Sequence, residues 1–193
     1  MTNYGKITLV FTGVFLAVLL VLVFILADQG RHTYAQNIAI KACLWVIYTS
    51  LEMKYGFGIN HYIRVFVMLV IINDSLIGLY FDLYTTSTVF DKIQHVLGSY
   101  AFSLFAYTLL CKLTQPVLSR ICSFVLVVSL GLGIGVFYEI GEFIGDLVTK
   151  PSIPSQPSLT DTNLDLIADV IGSLLGAVHA TVVTSFSCGS VKK

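Results

Sequence analysis

Residues 7–27 read ITLVFTGVFLAVLLVLVFILA, without one charged side chain. About 20 predominantly apolar residues in a helix cross the roughly 30 Å hydrocarbon layer of a bilayer, so this stretch is a membrane span. Lys6 before it invites a signal-peptide reading, but the apolar core is long and Leu26-Ala27-Asp28 is a poor cleavage site. The stretch is therefore expected to be an uncleaved anchor. Similar apolar runs follow at about 38–51, 62–81, 93–110, 118–147 and 164–186, the second being short and interrupted by Lys41. The expected fold is an all-α, polytopic membrane bundle of about six helices in a single domain.

Composition agrees with the runs. Of 193 residues, 56% are hydrophobic and 11% charged, against about 25% charged in soluble domains. Eleven Lys and Arg balance eleven Asp and Glu. Without a basic excess, a general nucleic-acid binder is excluded; with few prolines and no long polar tract, so is extensive disorder. The expected partner is the lipid bilayer, with oligomeric state left open.

Lys and Arg in short loops set orientation. With six spans, Lys6, Lys54, Arg64, Lys112, Arg120, Lys192 and Lys193 share one side with both termini, while Arg31, Lys41, Lys92 and Lys150 lie on the other. Both termini are expected to be cytoplasmic. The acids run the opposite way, because Glu52 alone is on the inner side and the other ten lie in or near the outer half. Carboxylates contribute little to topology, so this skew calls for a different cause.

Three helices carry acidic stripes. Asp91 and His95 are four apart, about 40° around a helix. Glu139, Glu142 and Asp146 share an arc of about 60°, and Asp161, Asp165 and Asp169 one of about 80°. Asp74, Glu139 and Asp169 each lie about 10–12 Å inward of the acid ending their helix, a depth at which they could meet in one layer. An Asp at mid-span costs about 2.5–3.5 kcal/mol, and several carboxylates repel one another unless protonated, hydrogen-bonded or bridged by a cation. Glu139, Glu142, Asp165 and Asp169 are the candidate ligands of a divalent metal, with Asp146, Asp161 and Asp74 as second choices. Asp91 and His95 form a candidate acid/base or ligand pair. Oxygen donors with one imidazole suit Mg²⁺, Mn²⁺ or Ca²⁺, or Zn²⁺ at the histidine.

Structural roles compete at several positions. Asp161 after Thr160 suits a helix cap or first turn. Asp82 and Asp146 suit hydrated helix ends, Asp91 a helix start, and Asp74 a bond to a neighbouring helix. His95 and His179 suit structural hydrogen bonds. Gly131, Gly133 and Gly135 and the Gly172–Gly176 pair favour close helix packing, and no Lys-Ser/Thr follows the former as a phosphate loop requires. Residues 149–160, with Pro151, Pro154 and Pro157, form an extended outer loop, either a plain connector or a lid over the acids. Cys43, Cys111, Cys122 and Cys188 lack a CxxC pair and are expected to be free thiols.

Phe90-Asp91-Lys92 with His95 and Gly98, Tyr138-Glu139-Ile140-Gly141-Glu142-Phe143, and Asp161-Thr162 with Asp165, Asp169 and Gly172 resemble the YjdF-type bacterial inner-membrane proteins. The Asp-Lys-x-x-His element is also similar to the VanZ-like family. The resemblance covers roughly residues 70–180, with Tyr138 where the family usually has Trp, and without the VanZ-type Arg and Asn near the last motif. It implies a multi-pass inner-membrane protein with a polar site facing outward, and no particular reaction.

Three functions fit the residues. A divalent-metal enzyme would act on a lipid-linked or other envelope substrate, small molecules included, and needs an open coordination position. A cation or proton transporter needs acids along a continuous path towards Glu52 or His179. A scaffold needs each acid paired with Ser, Thr, Tyr or Asn across helices.

Overall fold

The computed structural model describes residues 2–151 and 153–183. Its helices are α1 (Asn3–Asp28), α2 (His32–Tyr55), α3 (His61–Ile72), α4 (Leu83–Thr86), α5 (Phe90–Thr114), α6 (Arg120–Thr149) and α7 (Leu159–Val182). A π-wound segment, Asn73–Tyr80, continues α3. No strand occurs among the described residues. Among the described residues, five helical stretches are long and apolar enough to cross a membrane: α1, α3 with its π segment, α5, α6 and α7. The sixth expected span, 38–51, lies within α2, whose 24 residues include Lys41 and Glu52. The chain is a polytopic helical membrane bundle.

Two compact units divide it, Met1–Thr86 and Ser87–Lys193. In the first, α1 buries Gly5, Thr8, Thr12, Phe15, Leu19, Leu22 and Leu26, while α2 buries Ala35, Ile38, Ala42, Trp45, Thr49 and Glu52. Both series alternate steps of three and four, the seam of an antiparallel left-handed pair. At one end of this unit the Glu52 carboxylate accepts from Tyr4 Oη at 2.6 Å, Ile59 N at 3.1 Å and Arg64 Nη2 at 2.5 Å. Arg64, counted above among the loop bases, is 0% exposed inside α3 and pairs with Glu52. At the other end Arg31 donates to Leu79 O at 2.7 Å and Tyr80 O at 3.1 Å, and pairs with Asp82. It thereby satisfies carbonyls that the π segment leaves open at its end.

The second unit packs α7 against both α5 and α6. Its exposure pattern is the reverse of a soluble protein's. Among the described side chains, α6 buries only Ser123, Val127, Gly131, Gly135 and Glu139, one every four residues, and exposes Ile121, Val125, Phe137, Phe143 and Val148. α7 buries Asp165, Ala168, Asp169, Gly172, Ser173, Gly176, Ala177 and Ala180 while exposing Leu164, Ile167, Val170, Ile171 and Leu174. Polar and small groups face inward and large apolar ones outward, which is stable only with hydrocarbon as the solvent. At Gly172 an added Cβ would run into the Val96 carbonyl oxygen and Ser99 Oγ of α5. That close approach draws α7 onto α5 along its whole polar face.

Cys43 and Cys122 are free thiols. Cys111 is disulfide-bonded, contrary to the expectation of a free thiol there. Cys188, Lys192 and Lys193 lie outside the described residues.

Candidate metal centre

The polar end of the second unit is built from two helix starts and one helix end. Ser87 Oγ accepts from Phe90 N at 3.2 Å, opening α5 so that Asp91 falls in its first turn. Ser158 caps α7 by accepting from Asp161 N at 3.1 Å. Asp161 is thus a first-turn residue and Ser158 the cap. Carboxylates at these two N-termini meet favourable helix dipoles, whereas Asp146 in the last turn of α6 meets an unfavourable one.

His95 sits at the centre. Its Nδ1 is 3.2 Å from Asp169 Oδ1. An ionised carboxylate only accepts, so Nδ1 is the donating nitrogen and Nε2 is the ring atom turned to the rest of the cluster. Around Nε2 lie Glu139 Oε1 at 3.4 Å, Asp91 Oδ1 at 3.7 Å and Asp165 Oδ1 at 3.9 Å. One ligand atom each from Asp91, His95 and Asp165 fall within 4.8 Å of one another. Donors about 2.1 Å from a tetrahedral ion lie about 3.4 Å apart, the separation of His95 Nε2 from Glu139 Oε1, while Asp91 and Asp165 stand somewhat further off.

His95, Glu139 and Asp165 are buried, at 6%, 5% and 1% exposed. His95 Nε2 and Glu139 Oε1 have no hydrogen-bond partner among the described residues, while Asp165 Oδ1 has the Lys92 ammonium at 2.9 Å. A buried polar atom left without a partner costs about 1–3 kcal/mol, and more if charged. Two such atoms, His95 Nε2 and Glu139 Oε1, face each other at 3.4 Å.

Residues 7–185 match the family described as "Predicted membrane protein (DUF2238)". The chain belongs to this family. The matched range contains every residue of the cluster. A Thermotoga maritima protein described as "Uncharacterized protein" is 34% identical over 98 residues, 51% of this chain and 50% of that protein. The chain thus spans about half the length of that curated relative. No solved structure matches it.

Around this DUF2238 centre a second layer holds the carboxylates. Lys92 Nζ donates to Asp91 Oδ2 at 3.0 Å, Asp161 Oδ1 at 2.5 Å and Asp165 Oδ2 at 3.0 Å. The side-chain amide of Gln156 donates to Glu139 Oε2 at 2.7 Å and to Glu139 O at 2.8 Å, leaving Oε1 to face His95. The backbone N–H groups of Ser155 and Gln156 clasp the Asp146 carboxylate at 3.0 and 2.9 Å. Tyr138 sets its ring edge-on to His95, centroids 5.5 Å apart.

Most of the expected residues therefore meet. Asp91, His95, Glu139, Asp165 and Asp169 converge, Asp161 joins through Lys92, and Asp146 holds the loop. Glu142 is partly buried and has no hydrogen bond or ion pair recorded to it among the described residues. Asp74 belongs to the first unit, where Lys41 and Tyr84 Oη occupy its carboxylate. Lys92 and Gln156 were not foreseen. Lys92 stands in the Asp-Lys-x-x-His element quoted above but was given no role in the site, and no spacing rule points from Gln156, 17 residues away, to Glu139.

Proposed function

We propose that the polar end of the second unit is a divalent-metal centre acting on an envelope or lipid-linked substrate from the outer face of a bacterial inner membrane. The observation that carries this reading is the convergence of His95 Nε2 and Glu139 Oε1, both buried and without a hydrogen bond among the described residues, with the buried Asp165 Oδ1 beside them. His95, Asp165, Asp91 and Glu139 would hold the ion. Asp169 fixes the imidazole through Nδ1, the carboxylate–histidine–metal arrangement that orients a ligand and raises its basicity. Gln156 fixes Glu139 in the same way. A bound ion of this kind lowers the pKa of water or polarises a phosphoryl or carbonyl oxygen. Glu142, which makes no hydrogen bond or ion pair among the described residues, is the carboxylate to take up a proton.

The competing functions fit less well. A scaffold would pair its acids with hydroxyls and amides across helices, whereas these acids take Lys92, His95 and Gln156 and leave His95 Nε2, Glu139 Oε1 and Asp169 Oδ2 without a hydrogen bond among the described residues. A transport path needs room inward of Asp169. There, the Cβ positions of Gly131, Gly172 and Gly176 are filled by Ser173, Ser99 and Ser103, so the helices close. The YjdF-type and VanZ-like resemblances, and cytoplasmic termini, are consistent with an outward site and form part of this proposal.

Cobalt(II) substitution tests it. The purified chain loaded with Co²⁺ should develop the visible d–d bands of a low-coordinate N/O site, lost in His95→Ala. A spectrum indistinguishable from aqueous Co²⁺ in both proteins would remove the metal reading.

A further inference from the structure

Among the described residues, Lys92 is the only lysine or arginine that pairs with the cluster acids, and its position is unusual. Its ammonium has three N–H donors, and three carboxylates take them: Asp91, Asp161 and Asp165. Two of these also face His95. Asp91 turns Oδ2 to Lys92 at 3.0 Å and Oδ1 to His95 Nε2 at 3.7 Å. Asp165 Oδ1 is 2.9 Å from Lys92 Nζ and 3.9 Å from His95 Nε2. Each carboxylate thus faces both the ammonium and the space beside His95 Nε2, as bridging carboxylates face both ions of two-metal sites, which are about 3.5–4 Å apart.

We propose that the Lys92 ammonium is a built-in second cation, so that the centre takes one divalent ion and Asp91 and Asp165 bridge it to the ammonium. This rests on the metal reading above. Four carboxylates, Asp91, Glu139, Asp161 and Asp165, would suffice for two divalent ions; the lysine occupies the second place with a covalently tethered single charge. Because all three of its N–H donors are used, Lys92 holds ligands and does not contact substrate. The substrate class that fits is one with a single oxygen to be polarised at one metal, rather than a phosphodiester clamped between two.

Manganese stoichiometry and electron paramagnetic resonance on the full chain test this. The wild type at saturating Mn²⁺ should bind one ion and show an uncoupled six-line spectrum. Lys92→Ala, which empties the position, should bind a second ion and show a spin-coupled pair, while Lys92→Arg, which keeps the charge, should stay at one. A coupled pair in the wild type overturns the inference without help from any variant that fails to fold. One ion in both the wild type and a folded Lys92→Ala also overturns it and leaves the metal reading standing. No bound ion in the wild type overturns both.

Discussion

Asp169 Oδ1 lies 3.2 Å from Nδ1 of His95, on the side of the ring away from Glu139, Asp91 and Asp165. The two ring nitrogens therefore have separate work, one anchored and one exposed to the cluster. Asp169→Asn should keep the fold and weaken metal affinity roughly 10- to 100-fold, the usual effect of losing such an outer partner. Competition with a chromophoric chelator measures this. Unchanged affinity would mean that Asp169 does not orient the ring.

Gln156→Ala removes both bonds that fix Glu139, and Asp146→Asn loosens the backbone clasp of Ser155 and Gln156. Both variants should release bound metal to excess chelator several-fold faster than wild type. Both should also be cut more readily by protease within the outer loop. A loop that merely connects two helices would leave the release rate unchanged.

The loop shows where sequence reading reached its limit. Helices, acidic stripes and the small-residue face of α7 all follow from periodicity, because a helix converts spacing along the chain into position on a face. The meeting of Asp91, His95, Asp165 and Asp169 was legible for that reason. Gln156 was not, since its contact with Glu139 depends on the path of an irregular segment that has no period. Asp74 shows the opposite failure: equal depth along a helix says nothing about which partner a side chain meets, and Lys41 takes it. Arg64 likewise read as a loop base because its burial depends on Glu52 of another helix.

Gly172 should not tolerate a methyl group. Its Cβ would meet the Val96 backbone carbonyl, which cannot move aside as a side-chain tip can. Gly172→Ala should lose about 1–3 kcal/mol, the usual range for overpacking, seen as a lower melting temperature in detergent. Gly141→Ala is the control. Its Cβ would meet nothing within 4 Å, so the change should be neutral or slightly stabilising through better helix propensity.

In the first unit, Arg64→Met would leave the Glu52 carboxylate, 1% exposed, without its counter-charge. Removing one member of a buried pair typically costs about 3–5 kcal/mol. Adding Glu52→Gln to Arg64→Met should recover a large part of that loss, because no uncompensated charge remains. Thermal denaturation of the two single variants and the double variant gives the coupling. Equal losses in the single and double variants would show that the pair is not acting as a pair.

Metal content tests the central claim most directly. Wild type, His95→Ala and Asp165→Asn are purified in parallel, equilibrated with Mn²⁺ or Zn²⁺, passed through a desalting column and analysed by elemental mass spectrometry. The account predicts a retained ion in the wild type and a loss of roughly tenfold or more in both variants, since each removes an atom that faces the centre. Content equally near zero in all three folded proteins would contradict it.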